Sequence, residues 1–147
     1  MLEVGENGHI VNAPSLGGLL AVPLKAPYVA AKHALVGLSQ NLRAEFRMIH
    51  APIGVTVVCP GPVATGIIDK QRDRYDGPTQ IGEAGQEVLD QLKDTVDNGM
   101  PAEEAGEIIL SAVGADRFWV FPNPVKYLDV VESDFQELHL DSLIDIG

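Results

Sequence analysis

A chain of 147 residues with 46% apolar content can bury one core, and its periodic apolar segments exclude a disordered polymer. Its 21 acids against 10 Lys and Arg leave a formal charge of −11, which argues against nucleic acid or anionic membrane as a partner, since both require basic patches. No run reaches the roughly 18 apolar residues that span a bilayer, the first residues include an acid and an early Gly instead of a basic leader, and Cys59 is the single cysteine. A cytoplasmic protein without disulfides, zinc cluster or membrane contact is the expectation.

After the turn-prone "GENG", the segment "GHIVNAPS" (8–15) reads as a buried strand ending near Ser15. A Gly/Pro-rich loop follows, and a helix is predicted from Pro27 to about Ile49. Proline suits its first turn, where the missing N–H costs nothing. Ala31, Leu35, Leu38, Leu42 and Phe46 fall on one face of that helix, with Gln40, Arg43 and Arg47 away from it. "IGVTVVCPG" (53–61) is a near-continuous apolar strand of the type covered on both faces in a parallel sheet, stopped by Pro-Gly.

Residues 62–98 read as a long polar loop with a helical pattern in "AGQEVLDQLKDTV", the kind of insertion that serves as a lid or substrate segment; it carries Ile67, Ile68 and Tyr75. "PAEEAGEIILSAVGA" (101–115) is a helix with Pro and acids in its first turn, and "RFWVF" is a short strand. The tail from 124 is acidic and weakly amphipathic. Strands separated by helices imply an α/β sheet with parallel pairing, and in such sheets ligands sit beyond the carboxyl ends of the strands. Ser15, Tyr28 and "PGPVATG" all follow strand ends, so one rim could hold them. Taken alone, Tyr28 and Lys32 at i, i+4 are as easily an ordinary surface pair, Ser15 a turn residue, and Thr65 a capping hydroxyl. His9, His33, His50 and His139 show no ligand spacing, Trp119 reads as core, and no metal site is expected.

Four elements in order change the weight of that pair: a strand ending in Ser15, Tyr28 thirteen residues on, Tyr28-x-x-x-Lys32, and a strand ending in Pro60-Gly61 with Thr65 beyond. With them the sequence resembles the second half of a short-chain dehydrogenase/reductase of the non-extended branch, closely over 5–66 and loosely over 100–121. The resemblance implies a partial doubly wound Rossmann-type parallel sheet, one domain over 1–147, lacking its amino-terminal nucleotide-binding half. It implies an NAD(P)-dependent oxidoreductase that transfers hydride between a nicotinamide, NAD or NADP, and a small-molecule alcohol or carbonyl. Tyr28 would be the general acid/base, Lys32 would stabilise its phenolate and hold the nicotinamide ribose, and Ser15 would hydrogen-bond the substrate oxygen. Pro60, Gly61, Val63 and Thr65 would surround the nicotinamide, together with Tyr28 and Lys32.

The sequence also departs from that family. Ala13 and Pro14 replace the Ser/Thr-rich pattern usual before the serine, and no Thr-Gly-x-x-x-Gly-x-Gly turn for the pyrophosphate is present; "SLGGLL" lies after the serine-bearing strand and is not such a turn. The chain is therefore expected to be the carboxyl-terminal part of a longer dehydrogenase, with an unpaired edge on its first strand and poor cofactor binding on its own. A homo-oligomer through the 27–49 helix is implied when the other half is present. Two alternatives stand beside the enzyme: a truncated non-catalytic remnant, and an interaction module built on the long helix and acidic tail.

Overall fold

The computed structural model describes residues 5–23, 25–69 and 82–123, together with residues 2, 129, 131–133 and 136. Its elements are β1 (Gly8–Asn12), a one-turn 3-10 helix (Leu16–Gly18), α1 (Ala26–Met48), β2 (Ile53–Val58), β3 (Val63–Ala64), α2 (Glu83–Asp97), β4 (Met100–Pro101), α3 (Ala102–Gly114) and β5 (Trp119–Val120). The chain divides into two compact units, one of Met1–Gly61 with Ile109–Gly147 and the other of Pro62–Ile108. Tyr75, most of the tail from 124, and His139 lie outside the described residues.

In the first unit, a parallel sheet has the order β1-β2-β5. Its register runs from Gly8 opposite Ile53 to Asn12 opposite Val57, and then from Val57 opposite Trp119 to Val58 opposite Val120. The β-branched run of β2 takes the central place, paired on both edges, with Thr56 and Val57 fully buried. β1 is shorter than its sequence suggested and only half-buried, with Val11 exposed; among the described residues it pairs with β2 alone.

The helix α1 connects β1 to β2 and starts with Pro27 in its first turn, as expected. Its buried stripe is Val36, Ser39 and Phe46, while Ala31 and Leu38 of the expected apolar face are exposed. Arg43 is turned toward the core instead of away from it, its guanidinium carbon 4.3 Å from the centre of the Phe118 ring. Leu16, Val36, Phe46, Val55, Val57, Cys59 and Phe118 form the core. Among the described residues, every buried side-chain polar atom has a partner. Ser39 donates to the Leu35 carbonyl (2.7 Å) and accepts from the Asn12 amide (2.9 Å), tying α1 to β1. Thr56 donates its one proton to the Arg117 carbonyl (2.8 Å), so His9, 2.7 Å away, donates to it from Nε2.

Both α1 and α3 end in the same way. After α1, His50 N–H bonds the Arg47 carbonyl and Ala51 N–H the Phe46 carbonyl; after α3, Asp116 bonds Val113 and Arg117 bonds Ala112. These are Schellman closures, and they place His50 (φ 52°) and Asp116 (φ 50°) in the left-handed region that glycine usually occupies.

In the second unit, β3 and β4 pair in parallel, Val63 opposite Met100. The helical pattern noted within the 62–98 segment is a full fifteen-residue helix, α2. Hydrogen bonds from Lys93 to Asp97 and Asp69 hold its ammonium pKa above the usual lysine value. No helix among the described residues is long and apolar enough to cross a membrane, and no described group of three His, Cys, Asp or Glu side chains is placed to hold a metal ion.

Candidate active site

The carboxyl ends of β1 and β2 face the start of α1, and this rim gathers Ser15, Tyr28, Lys32 and Pro60. Beyond β1 the chain keeps to β2: Ser15 N–H bonds the Val58 carbonyl (3.4 Å) and Leu16 N–H bonds the Pro60 carbonyl (3.1 Å). Pro14 is fully buried, so its departure from the expected Ser/Thr pattern serves packing. Ser15 itself has φ 80° and ψ 165°, a combination populated almost entirely by glycine and costing about 1–3 kcal/mol for other residues. Strain of that kind persists where surrounding structure over-determines it, and it aims the Ser15 side chain into the rim.

The Ser15 hydroxyl donates to the Pro60 carbonyl at 3.3 Å and accepts the Gly17 N–H at 3.4 Å. Both lie well beyond the usual 2.7–2.8 Å or 2.9–3.0 Å of a strong bond, so the hydroxyl can turn to a better acceptor at little cost. Gly17 also lies beneath the Tyr28 ring: a Cβ there would stand 2.7 Å from Tyr28 Cε1. One glycine thus touches both candidate side chains. Its neighbour Gly18 brings the turn against the α1 backbone, where a Cβ would stand 2.8 Å from the Lys32 carbonyl oxygen.

Tyr28 occupies the first turn of α1 and is 42% exposed, open to a ligand from the solvent side. Lys32 lies one turn on, its ammonium 5.6 Å from the Tyr28 ring centre, inside the range of a cation–π contact. It donates to the Ala13 carbonyl at 3.3 Å, which leaves two of its three N–H donors for other acceptors. The start of α1 adds the positive end of the helix dipole to the same rim. A phenol, an ammonium and a loosely held hydroxyl on one open rim can move a proton to or from an oxygen and stabilise negative charge on it.

Pro60 joins the rim through its carbonyl, and Gly61 N–H donates to Asn123 Oδ1 at 2.9 Å. Val63 and Thr65 belong to the second unit, where Val63 is half-buried in β3 and Thr65 is exposed. Cys59 is buried, and that burial pushes its thiol up to about 12, so it takes no part as a nucleophile. Sequence reasoning missed Gly17, for which the only signal was a Gly-Gly doublet two residues after the serine.

Residues 1–76 match the family model described as short chain dehydrogenase. A C alpha-dehydrogenase of a Sphingobium species is 30% identical over 97% of this chain and 46% of its own length. The D-beta-hydroxybutyrate dehydrogenase of Rhizobium meliloti is 46% identical over 44% of this chain and 24% of its own length. The crystal structure of a short chain dehydrogenase/reductase from Burkholderia phymatum in complex with NAD superposes with a TM-score of 0.87 at 30% identity, covering 96% of this chain and 51% of that one. The chain thus spans about half the length, or less, of the relatives it matches, and with the parallel sheet and the Ser15–Tyr28–Lys32 rim these likenesses establish that it belongs to the short-chain dehydrogenase family.

Proposed function

We propose that the rim is the proton-transfer half of an NAD(P)-dependent oxidoreductase acting on a small alcohol or carbonyl compound. The observation that carries this reading is the convergence of Ser15 and Tyr28 on Gly17, with the Lys32 ammonium beside the Tyr28 ring. The two uncommitted donors of Lys32 suit the ribose hydroxyls of a nicotinamide nucleotide, and the half-exposed Tyr28 ring leaves that approach open. When bound, the nicotinamide supplies or accepts the hydride.

The protein's own residues handle the proton and the oxygen. Ser15 exchanges its long bond to Pro60 for one to the substrate oxygen, polarising a carbonyl or orienting a hydroxyl. Tyr28 gives its phenolic proton to that oxygen in reduction and takes it back in oxidation, and Lys32 stabilises the phenolate left behind. On sequence position alone, Val63 and Thr65 are candidates for the nicotinamide carboxamide.

Assayed at high cofactor concentration against a panel of small ketones and alcohols, Tyr28→Phe should lower turnover by about 10²–10⁴-fold, with the circular dichroism spectrum unchanged. Turnover within a few-fold of the parent would remove Tyr28 from the chemistry and overturn the reading.

A further inference from the structure

A second site lies on α1, away from the rim. Fifteen residues separate Tyr28 from Arg43, roughly 22 Å along the helix axis at 1.5 Å per residue. There, Gln40, Arg43, Ala44 and Arg47 of the helix and Phe118 and Trp119 beside them line an open groove of about 260 Å³. All six residues belong to the first unit.

The charge of this groove is out of keeping with the chain. The protein carries a formal −11, yet Arg43 and Arg47 stand one helical turn apart with no carboxylate in ion-pair reach among the described residues. Arg43 is held over the Phe118 ring, which leaves its N–H donors for an oxyanion. Its fork geometry matches carboxylate and phosphate oxygens, and Gln40 adds an amide donor. The opposite wall is aromatic and fixed in place: Trp119 meets Phe118 edge-on at 5.0 Å and stacks with Phe121 at 6.1 Å and 15°. The groove is open to solvent, so the pairing of an aromatic wall with two guanidinium groups, and not its volume, is what favours a ring that carries an oxyanion.

We propose that this groove binds a small aromatic oxyanion, a carboxylate or phosphate carried on a single ring, independently of the Tyr28–Lys32 rim. The oxyanion lies between Arg43, Arg47 and the Gln40 amide, and the ring lies against Trp119. Because Trp119 is the only tryptophan in the chain, its single indole N–H resonance reports occupancy directly.

The test is a titration of the intact chain followed by that resonance, with benzoate, phenyl phosphate, inorganic phosphate and phenol as probes. At least one of the two aromatic anions should shift it saturably, more weakly as salt is raised, and which of them binds tighter identifies the head group. Phenol and inorganic phosphate should each bind about tenfold or more weakly, as loss of a charge-assisted contact or of the stacked ring implies. Arg47→Gln should weaken the aromatic anions by a similar factor; it breaks no hydrogen bond or ion pair among the described residues, so it is a safer variant than Arg43→Gln, which uncovers Phe118. Tyr28→Phe should leave binding unchanged. The proposal fails if neither aromatic anion gives a saturable shift, if phenol or inorganic phosphate binds as tightly, or if Arg47→Gln binds like the parent.

Discussion

At the scale of single residues, the rim rests on a contrast between two adjacent glycines. A Cβ on Gly17 would strike the Tyr28 ring, an exposed side chain free to swing away, whereas a Cβ on Gly18 would strike the Lys32 carbonyl and Val36 Cγ2, which are part of the packed helix. Gly17→Ala should therefore cost less than about 1 kcal/mol of stability, within the ordinary range of tolerated changes, while displacing Tyr28 and lowering turnover at least as much as it lowers cofactor affinity. Gly18→Ala should destabilise by about 1–3 kcal/mol through overpacking, and urea titration of both variants separates the two outcomes. Cys59 gives a residue-scale test of the core. Its thiol is pushed by burial from 9.0 to about 12, so the folded state holds a proton that the unfolded state releases. Stability from this group is complete below pH 9 and is lost as pH rises through 12. Cys59→Ala should flatten that alkaline decline, to be read from denaturant midpoints across the pH series, while carrying its own cavity cost at neutral pH.

At the scale of elements, α1 both joins the strands and presents the site, and its two ends are built differently. Its amino end carries Pro27 and no side-chain cap, leaving the first-turn N–H groups beside Tyr28 unclaimed by capping side chains. Its carboxyl end is closed by the Schellman bonds that put His50 at φ 52°. A non-glycine residue there costs about 1–2 kcal/mol, part of which glycine returns through the greater entropy of its unfolded chain. His50→Gly should therefore stabilise the protein by about 0.5–1 kcal/mol, seen as a higher urea midpoint at unchanged slope. A fall in the midpoint would mean that the His50 side chain makes a stabilising contribution beyond its backbone.

At the scale of the whole molecule, the family's chemistry and the family's grip on its cofactor are separable. The rim proposed to handle the proton is assembled here, but the sequence has no Gly-rich turn opening a helix onto a pyrophosphate, which in doubly wound folds supplies backbone N–H groups and a helix dipole. In the proposed reading, Lys32 and its neighbours hold only the nicotinamide end. The isolated chain should therefore bind NADH or NADPH more weakly than micromolar, and isothermal titration giving micromolar affinity would contradict this. Among the described residues, β1 pairs with β2 alone.

The main strands and helices were legible in the sequence, because a β-branched run such as Ile53–Val58 and a 23-residue helical stretch follow from local propensity and spacing, and the motif order pointed to the family; the two-residue pair β3 and β4, made by contact between distant segments, was not legible. Ser15, Tyr28 and Lys32 stood out through the order of motifs that resembles that family, since their spacing alone is equally that of an ordinary surface pair. The rotation of α1 on the sheet emerged from packing: of the apolar face Ala31, Leu35, Leu38, Leu42 and Phe46, Phe46 is buried and Leu42 packs on the core, but Ala31 and Leu38 are exposed while Val36 and Ser39 are buried, with the Asn12–Ser39 bond and the Arg43–Phe118 contact on the packed side. The tertiary structure alone revealed Ser15 in a glycine-like conformation and Gly17 as the surface under Tyr28. Contacts between residues far apart in the chain impose both, and no local pattern in the sequence encodes them.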